Sequence, residues 1–386
     1  MMKNETKKII SSSKTKIILI GLGIFALLLR FLFSLNPQLT ENIYSKGIFQ
    51  VVRFFLDYTF GLLPFPVIYP AAGLFVLFLL CKIIKKTTAQ TVLNPSPRGG
   101  AWRMRLLKSV LTLGAFFGAL VFFFYFLWGF NYQRLPIETH LDIKPVPLDI
   151  TAIRKEAGKA FQATSAARQE IRGAGQAALG PGSLPKNLEN KIRGSLKKVL
   201  ESMTYPTPGR VRARKFKPAG LLMSFAVSGV YFPYTGAGYI PADITVSEIP
   251  FCMAHEMAHG FGFAEEGTAN FLAYLACITA DDPLIRYSGR LEYFFHISAE
   301  LYRAAAGEYR DLIKKLPPGI QADRRAIYRN WAQYRGWLMK VGEKVNDAYL
   351  KSQGIREGIK SYNRLIVLIA AFRASASGGG AAHPTY

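Results

Sequence analysis

The chain has 386 residues, 50% of them hydrophobic and 13% aromatic, with a formal net charge of +24 and a mean hydropathy of +0.14. That much aromatic and aliphatic surface excludes a disordered chain, and three Cys exclude a disulfide-stapled framework. The apolar residues are spread unevenly, which divides the sequence into a membrane part and a water-soluble part.

A basic tail at 1–16 holds Lys3, Lys7, Lys8, Lys14 and Lys16. Three apolar stretches follow, at 17–35, 66–84 and 109–130, each close to the roughly 20 residues that a helix needs to cross the hydrocarbon core. The third is uncharged. The first contains Arg30, near enough to its end for the side chain to reach the headgroups. Lys82, Lys85, Lys86, Arg98, Arg103, Arg105 and Lys108 lie between the second and third stretches, against only Lys46 and Arg53 between the first two. The positive-inside rule therefore puts 1–16 and the basic loop 85–108 in the cytoplasm, and everything after Phe130 outside. A cleaved signal peptide is the weaker reading, since no small-x-small site follows the first run and two further spans do.

Residues 36–65 form an outside loop in which Ile43, Ile48, Val51, Val52, Phe54, Phe55 and Leu56 sit among few charges. Two readings stand level there, an interfacial amphipathic helix and a helix packed on the spans. Arg30 is the one charged residue in the interiors of the spans, away from their ends, which disfavours a channel or transporter.

The first 130 residues hold 15 basic and 3 acidic side chains, leaving 34 and 22 for the remainder. A basic surface of that kind suits anionic headgroups or other polyanions, but a solvated basic face is the favoured reading. Nucleic acid is disfavoured as a partner, because the domain is expected outside the cell and shows no recognisable nucleic-acid module. The segment 151–203 reads as helix interrupted by GPGSLP at 180–185, and 220–244 as short strands and turns. Helical periodicity returns from Phe251 to Arg373, and 374–386 reads as a disordered tail. The fold class expected is a membrane-anchored α+β chain: three N-terminal transmembrane helices, then a mostly helical domain over 131–373 with a small β-sheet.

The stretch that carries chemistry is CMAHEMAHGFGFAEEGTANFLAYLAC, residues 252–277. On a helix, His255 and His259 stand one turn apart on one face, so both imidazoles can reach one ion. Glu256 beside them is placed to take a proton from water at that ion. Gly260 and Gly262 can end the helix and let the chain reverse, returning Glu265 or Glu266 as a third ligand. Asn270, one turn beyond Glu266, would orient a metal-binding group. Other readings of the same residues are ordinary helix histidines, a structural zinc site that adds Cys252, and a Cys252–Cys277 disulfide; two buried thiols suit the pair better. Tyr287 and His296 are the downstream candidates for a donor to a tetrahedral oxyanion. The strand region Gly229–Ile240 offers an edge for an extended peptide.

These residues resemble the active site of the HExxH zinc metallopeptidases, and within them the glutamate-ligand group (gluzincins), whose third ligand lies in an ExxxD-like helix. The matching pair here is Glu266 and Asn270. The spacing HEMAHGFGFAE is closer to the metzincin pattern, with Glu265 in the place of the third His; Glu266 is preferred. The resemblance implies one Zn²⁺, hydrolysis of peptide bonds and a zincin-like domain. The whole chain also resembles a bacterial family of uncharacterised membrane proteins with N-terminal spans and a zincin-like outer domain. The matching pieces are Trp128–Arg134, Ser228–Thr235, the HExxH block, Arg286–Gly289, Tyr349–Lys351 and Lys360–Tyr362. Relatives tend to carry an acidic residue where this chain has Thr268.

The expected activity is a membrane-bound zinc peptidase acting outside the cytoplasmic membrane on peptide or protein substrates. The alternative is an inactive zincin-fold binding or assembly module, against which an intact His255, Glu256 and His259 argue. The sequence does not set the oligomeric state.

Overall fold

The computed structural model describes residues 13–74, 76, 77, 80, 81, 101–173 and 175–377. The first apolar run forms helix α1 (Lys14–Leu35), and the uncharged run forms most of α3 (Ala101–Leu127). Both are long and apolar enough to cross a membrane, and little of either is buried. Ile24, Leu28, Phe31, Leu113, Phe117 and Phe123 are exposed along them, a surface suited to lipid rather than water.

The two helices run parallel. Lys16 Nζ donates to Thr112 Oγ1 (2.7 Å) at one end, and Phe33 meets Phe130 edge-on (5.1 Å) at the other. Between them a Cβ on Gly118 would stand 2.4 Å from the Leu19 carbonyl oxygen, so only glycine permits so close an approach. Tyr69 is docked on the domain, its hydroxyl accepting the Lys217 N–H (2.7 Å), whereas Ala101 starts α3 at the far end of the pair. Residues 70–100 form the connection between them; among the described residues two helices, α1 and α3, are long and apolar enough to cross a membrane, not the three expected. The expected second span, 66–84, lies mostly in that connection and falls partly outside the described residues; 68–74 is helical. The tail 1–12 and the loop residues 82–100 also lie outside them, and 101–108 already belongs to α3.

The third expected span, 109–130, ends early. The helix stops at Leu127, and Gly129–Gln133 forms a 3₁₀ turn in which Phe130 and Asn131 are buried. The indole and amide of Trp128 and Asn131 find polar partners there that lipid lacks.

The loop 36–65 is largely helical. A continuous run, here α2, is made of Pro37–Leu39, a π-helical stretch Thr40–Ile48, and Phe49–Tyr58. One face is packed and the other is open: Phe49, Val52, Arg53, Leu56 and Asp57 are buried, while Val51, Phe54, Phe55 and Tyr58 are exposed. Arg53 and Asp57 form a buried ion pair, with Arg53 Nε 2.9 Å from Asp57 Oδ2. The guanidinium also donates to Tyr231 Oη (2.9 Å) and the Gly236 carbonyl (2.8 Å), and Asp57 accepts the Arg210 N–H (2.7 Å).

The domain begins with α4 (Ile150–Gln169) and α5 (Leu188–Ser202), separated by a turn at Pro181–Ser183. Three strands follow: β1 (Arg212–Phe216), β2 (Val230–Phe232) and β3 (Ala237–Pro241), in the order β1-β3-β2. β1 is parallel to β3, with Arg212 opposite Ala237, and β2 is antiparallel to it, with Val230 opposite Tyr239. Sequence reading missed β1, because RARKF carries three cations. Its alternation is nonetheless that of a strand, with Ala213 buried and Arg212 and Arg214 turned to the carbonyls of Gly61, Leu63 and Phe65.

The helices α6 (Ile249–Gly260), α7 (Glu266–Ile278) and α8 (Pro283–Ala304) form the centre of the domain. Pro250 sits in the first turn of α6, where its missing N–H costs nothing. Apart from the half-buried Cys252, α6 is buried on all sides, and α7 is buried around its circumference. The rest is α9 (Ala306–Lys314), α10 (Pro318–Ala332), α11 (Trp337–Ser352) and α12 (Arg364–Ser377). The first four residues of the expected tail 374–386 thus continue α12, and 378–386 lie outside the described residues.

Candidate metal centre

The HExxH segment lies on α6, which reverses at Gly262 (φ +88°) and returns as α7. That reversal brings His255, His259 and Glu266 together, all three buried. The two Nε2 atoms are 3.0 Å apart, and Glu266 Oε2 lies 3.1 Å from that of His255 and 3.3 Å from that of His259.

The other ring nitrogens face acceptors. His255 Nδ1 is 2.7 Å from Asn270 Oδ1, and His259 Nδ1 is 2.7 Å from the Phe263 carbonyl oxygen. Asn270 Nδ2 donates to the Tyr362 carbonyl (3.3 Å), which fixes the amide's orientation. Acceptors at both Nδ1 atoms leave the two Nε2 atoms directed at one shared point, the orientation that ligation of a single ion requires. A tetrahedral ion with donors at about 2.0–2.1 Å would hold them about 3.3 Å apart. The observed separations fit a single small divalent ion.

The charges agree. Burial opposes ionisation of Glu266, but His259 and His255 outweigh it and hold the carboxyl well below the usual carboxylate range. Burial also opposes a charged His259, yet Glu266 more than offsets it and raises this imidazole to about 9. Glu256, on the same helix, is pushed up to about 7 by burial against the pull of the two imidazoles. Its Oε2 is buried without a hydrogen-bond partner. The β2–β3 backbone closes over this carboxylate: a Cβ on Gly238 would lie 2.4 Å from Glu256 Cβ, and one on Gly229 2.2 Å from Oε1.

Glu265 stands elsewhere. It caps α7, accepting the N–H groups of Gly267 (3.0 Å) and Thr268 (2.6 Å) and pairing with Arg364 (3.4 Å). Thr268 Oγ1 donates to Glu265 (2.7 Å), so the departure at Thr268 falls beside the cap and not among the three converging donors. Tyr287 and His296 are not brought to the group either. The Tyr287 hydroxyl donates to Asp323 (2.8 Å), which also binds Arg168, and His296 Nε2 faces Glu292 at 3.4 Å on its own helix. Cys252 and Cys277 are free thiols, and Cys252 is outside the converging group.

Sequence reading overlooked the aromatic wall of the site. The Tyr362 ring lies parallel to that of His255 (centroids 6.3 Å, 9°), with its hydroxyl facing Glu266. The Tyr132 hydroxyl donates to that of Tyr349 (3.2 Å). Burial raises the pKa of all three phenols, and the Glu266 charge adds to it in each. Trp128 Nε1 donates to the His259 carbonyl (2.8 Å). One signal was available: these four residues lie in the pieces Trp128–Arg134, Tyr349–Lys351 and Lys360–Tyr362 on which the whole-chain resemblance rests.

No curated protein and no solved structure matches the chain. One family does, over residues 44–370, which takes in the larger part of α2, the sheet and the whole His255–His259–Glu266 group. The chain belongs to that family, described as protein of unknown function DUF3810.

Proposed function

We propose that this chain is a membrane-anchored zinc metallopeptidase, hydrolysing peptide bonds at the outer face of the bacterial cytoplasmic membrane. The observation that carries the reading is the meeting of three donors at 3.0–3.3 Å beside a buried carboxylate with an unpartnered oxygen. Two imidazoles and one carboxylate suit zinc and leave one coordination position free. Buried polar atoms are nearly always satisfied, so the free Glu256 oxygen marks a place for water or substrate.

His255, His259 and Glu266 would hold the ion, with Asn270 and the Phe263 carbonyl fixing the rings. Zinc there supplies Lewis acidity, polarising a carbonyl and acidifying water. Glu256 takes the proton of the attacking water at Oε2 and returns it to the leaving amine. The Tyr362 hydroxyl, beside Glu266, is the donor to the developing oxyanion. The outer edge of β2 offers main-chain hydrogen bonds to an extended substrate.

Parallel α1 and α3 support three crossings, because the connection from Tyr69 to Ala101 must return along the pair. Lys14, Lys16, Arg105 and Lys108 at the end remote from the domain favour that end as cytoplasmic. The test is metal analysis and turnover of purified protein. Near-stoichiometric zinc is expected, with Glu256→Gln retaining it and losing hydrolysis at least 1000-fold. Full activity in that variant would remove the mechanism.

A further inference from the structure

We propose that the site acts on polypeptide lying at the bilayer surface, the first few residues outside the membrane of an anchored protein, in preference to freely diffusing peptide. The inference rests on the peptidase reading and on α1 and α3 as spans.

Three contacts put the metal centre at the lipid boundary. Trp128, the first residue beyond α3, donates to the carbonyl of His259 and sets its ring edge-on to that imidazole at 5.9 Å. One side chain separates the end of a span from a metal ligand. The β2–β3 hairpin that closes over Glu256 is tied to the same span, because Tyr234 donates its hydroxyl to the Leu120 carbonyl (3.1 Å), about two turns before the helix ends. On a third side stands α2. Its inner face holds the end of α6 through Arg53 Nη1 and the Gly260 carbonyl (3.4 Å). Its outer face leaves Val51 71%, Phe54 54%, Phe55 60% and Tyr58 52% exposed.

That outer face has one fitting occupant. On the spans, Phe31, Leu32, Leu35, Phe123 and Phe126 are likewise exposed, at the end of the helix pair that meets the domain. Large aromatic and aliphatic side chains at such a level are covered by the bilayer's interfacial zone. The inner face of α2 touches the metal-bearing helix, so the site lies about one helix diameter, roughly 10 Å, from lipid. An extended chain leaving the membrane spans that in about three or four residues. Anchoring also raises the local concentration of such a segment, as a short linker does.

The experiment uses the full chain, zinc-loaded, in lipid nanodiscs. A pool of random-sequence peptides is presented in three formats: fused to a transmembrane helix through about 5 residues, through about 40 residues, and unanchored. Mass spectrometry is expected to find the short-tether pool cut at least tenfold faster than the unanchored one. Equal rates for these two would overturn the proposal and leave the peptidase reading intact, whereas no cleavage in any format would reject the reading itself. Location is measured apart from activity. In a Trp102→Phe/Trp331→Phe/Trp337→Phe protein, Trp128 fluorescence should be quenched by lipids brominated near the top of the acyl chains. Absence of quenching would overturn the proposal whatever the activity.

Discussion

Asn270 holds His255: its Oδ1 accepts from Nδ1 at 2.7 Å, while its own Nδ2 is anchored on the Tyr362 carbonyl at 3.3 Å. The imidazole is thereby turned so that Nε2 faces His259 and Glu266. Its side-chain bonds run to His255 and to the Tyr362 carbonyl, so it acts by orienting the ring. Asn270→Ala should lower zinc affinity 10- to 100-fold without abolishing it, and His259→Ala should abolish it. Competition against a chromogenic chelator measures both, and unchanged affinity in Asn270→Ala would rule out the positioning role.

The Arg53–Asp57 pair fastens α2 to the domain. Removing one partner leaves the other charge buried and uncompensated, at a cost of about 3–5 kcal/mol. Arg53→Met should therefore lower the thermal midpoint sharply and raise protease sensitivity between α2 and α3. Arg53→Met/Asp57→Leu should recover part of that loss, because no lone charge remains. If the double variant is the less stable of the two, burial of the unpaired carboxylate is not the cause.

Acid sensitivity is expected at Glu156, away from the His255–His259–Glu266 group. Burial alone would raise its pKa, but Lys159 (2.8 Å), Arg373 (2.7 Å) and the Tyr293 hydroxyl (3.2 Å) outweigh it and hold the value below the ordinary 4.5. A depressed folded-state pKa contributes stability that is complete above the ordinary value and is lost as pH falls through the folded one. The stability gap between the native chain and Glu156→Gln should be about 1 kcal/mol near pH 7 and shrink as the pH falls below the ordinary carboxylate range. Denaturation series at several pH values test this, and a gap that widens on acidification would contradict it.

The sequence by itself determined what is local. Helical spacing of His255 and His259, the apolar runs of α1 and α3, the glycines that end α6, and the return of Glu266 after six residues all follow from short-range pattern. Even the preference for Glu266 over Glu265 rested on a local pair with Asn270, and the bond from Asn270 to His255 agrees with it. The tertiary structure decided what depends on segments far apart in the chain. No periodicity places Trp128, Tyr132, Tyr349 and Tyr362 around one imidazole pair, or moves Tyr287 onto Asp323, because those meetings are set by how helices pack. β1 was hidden for the same reason: its arginines face carbonyls of a loop about 150 residues earlier, and only that docking makes a basic strand stable.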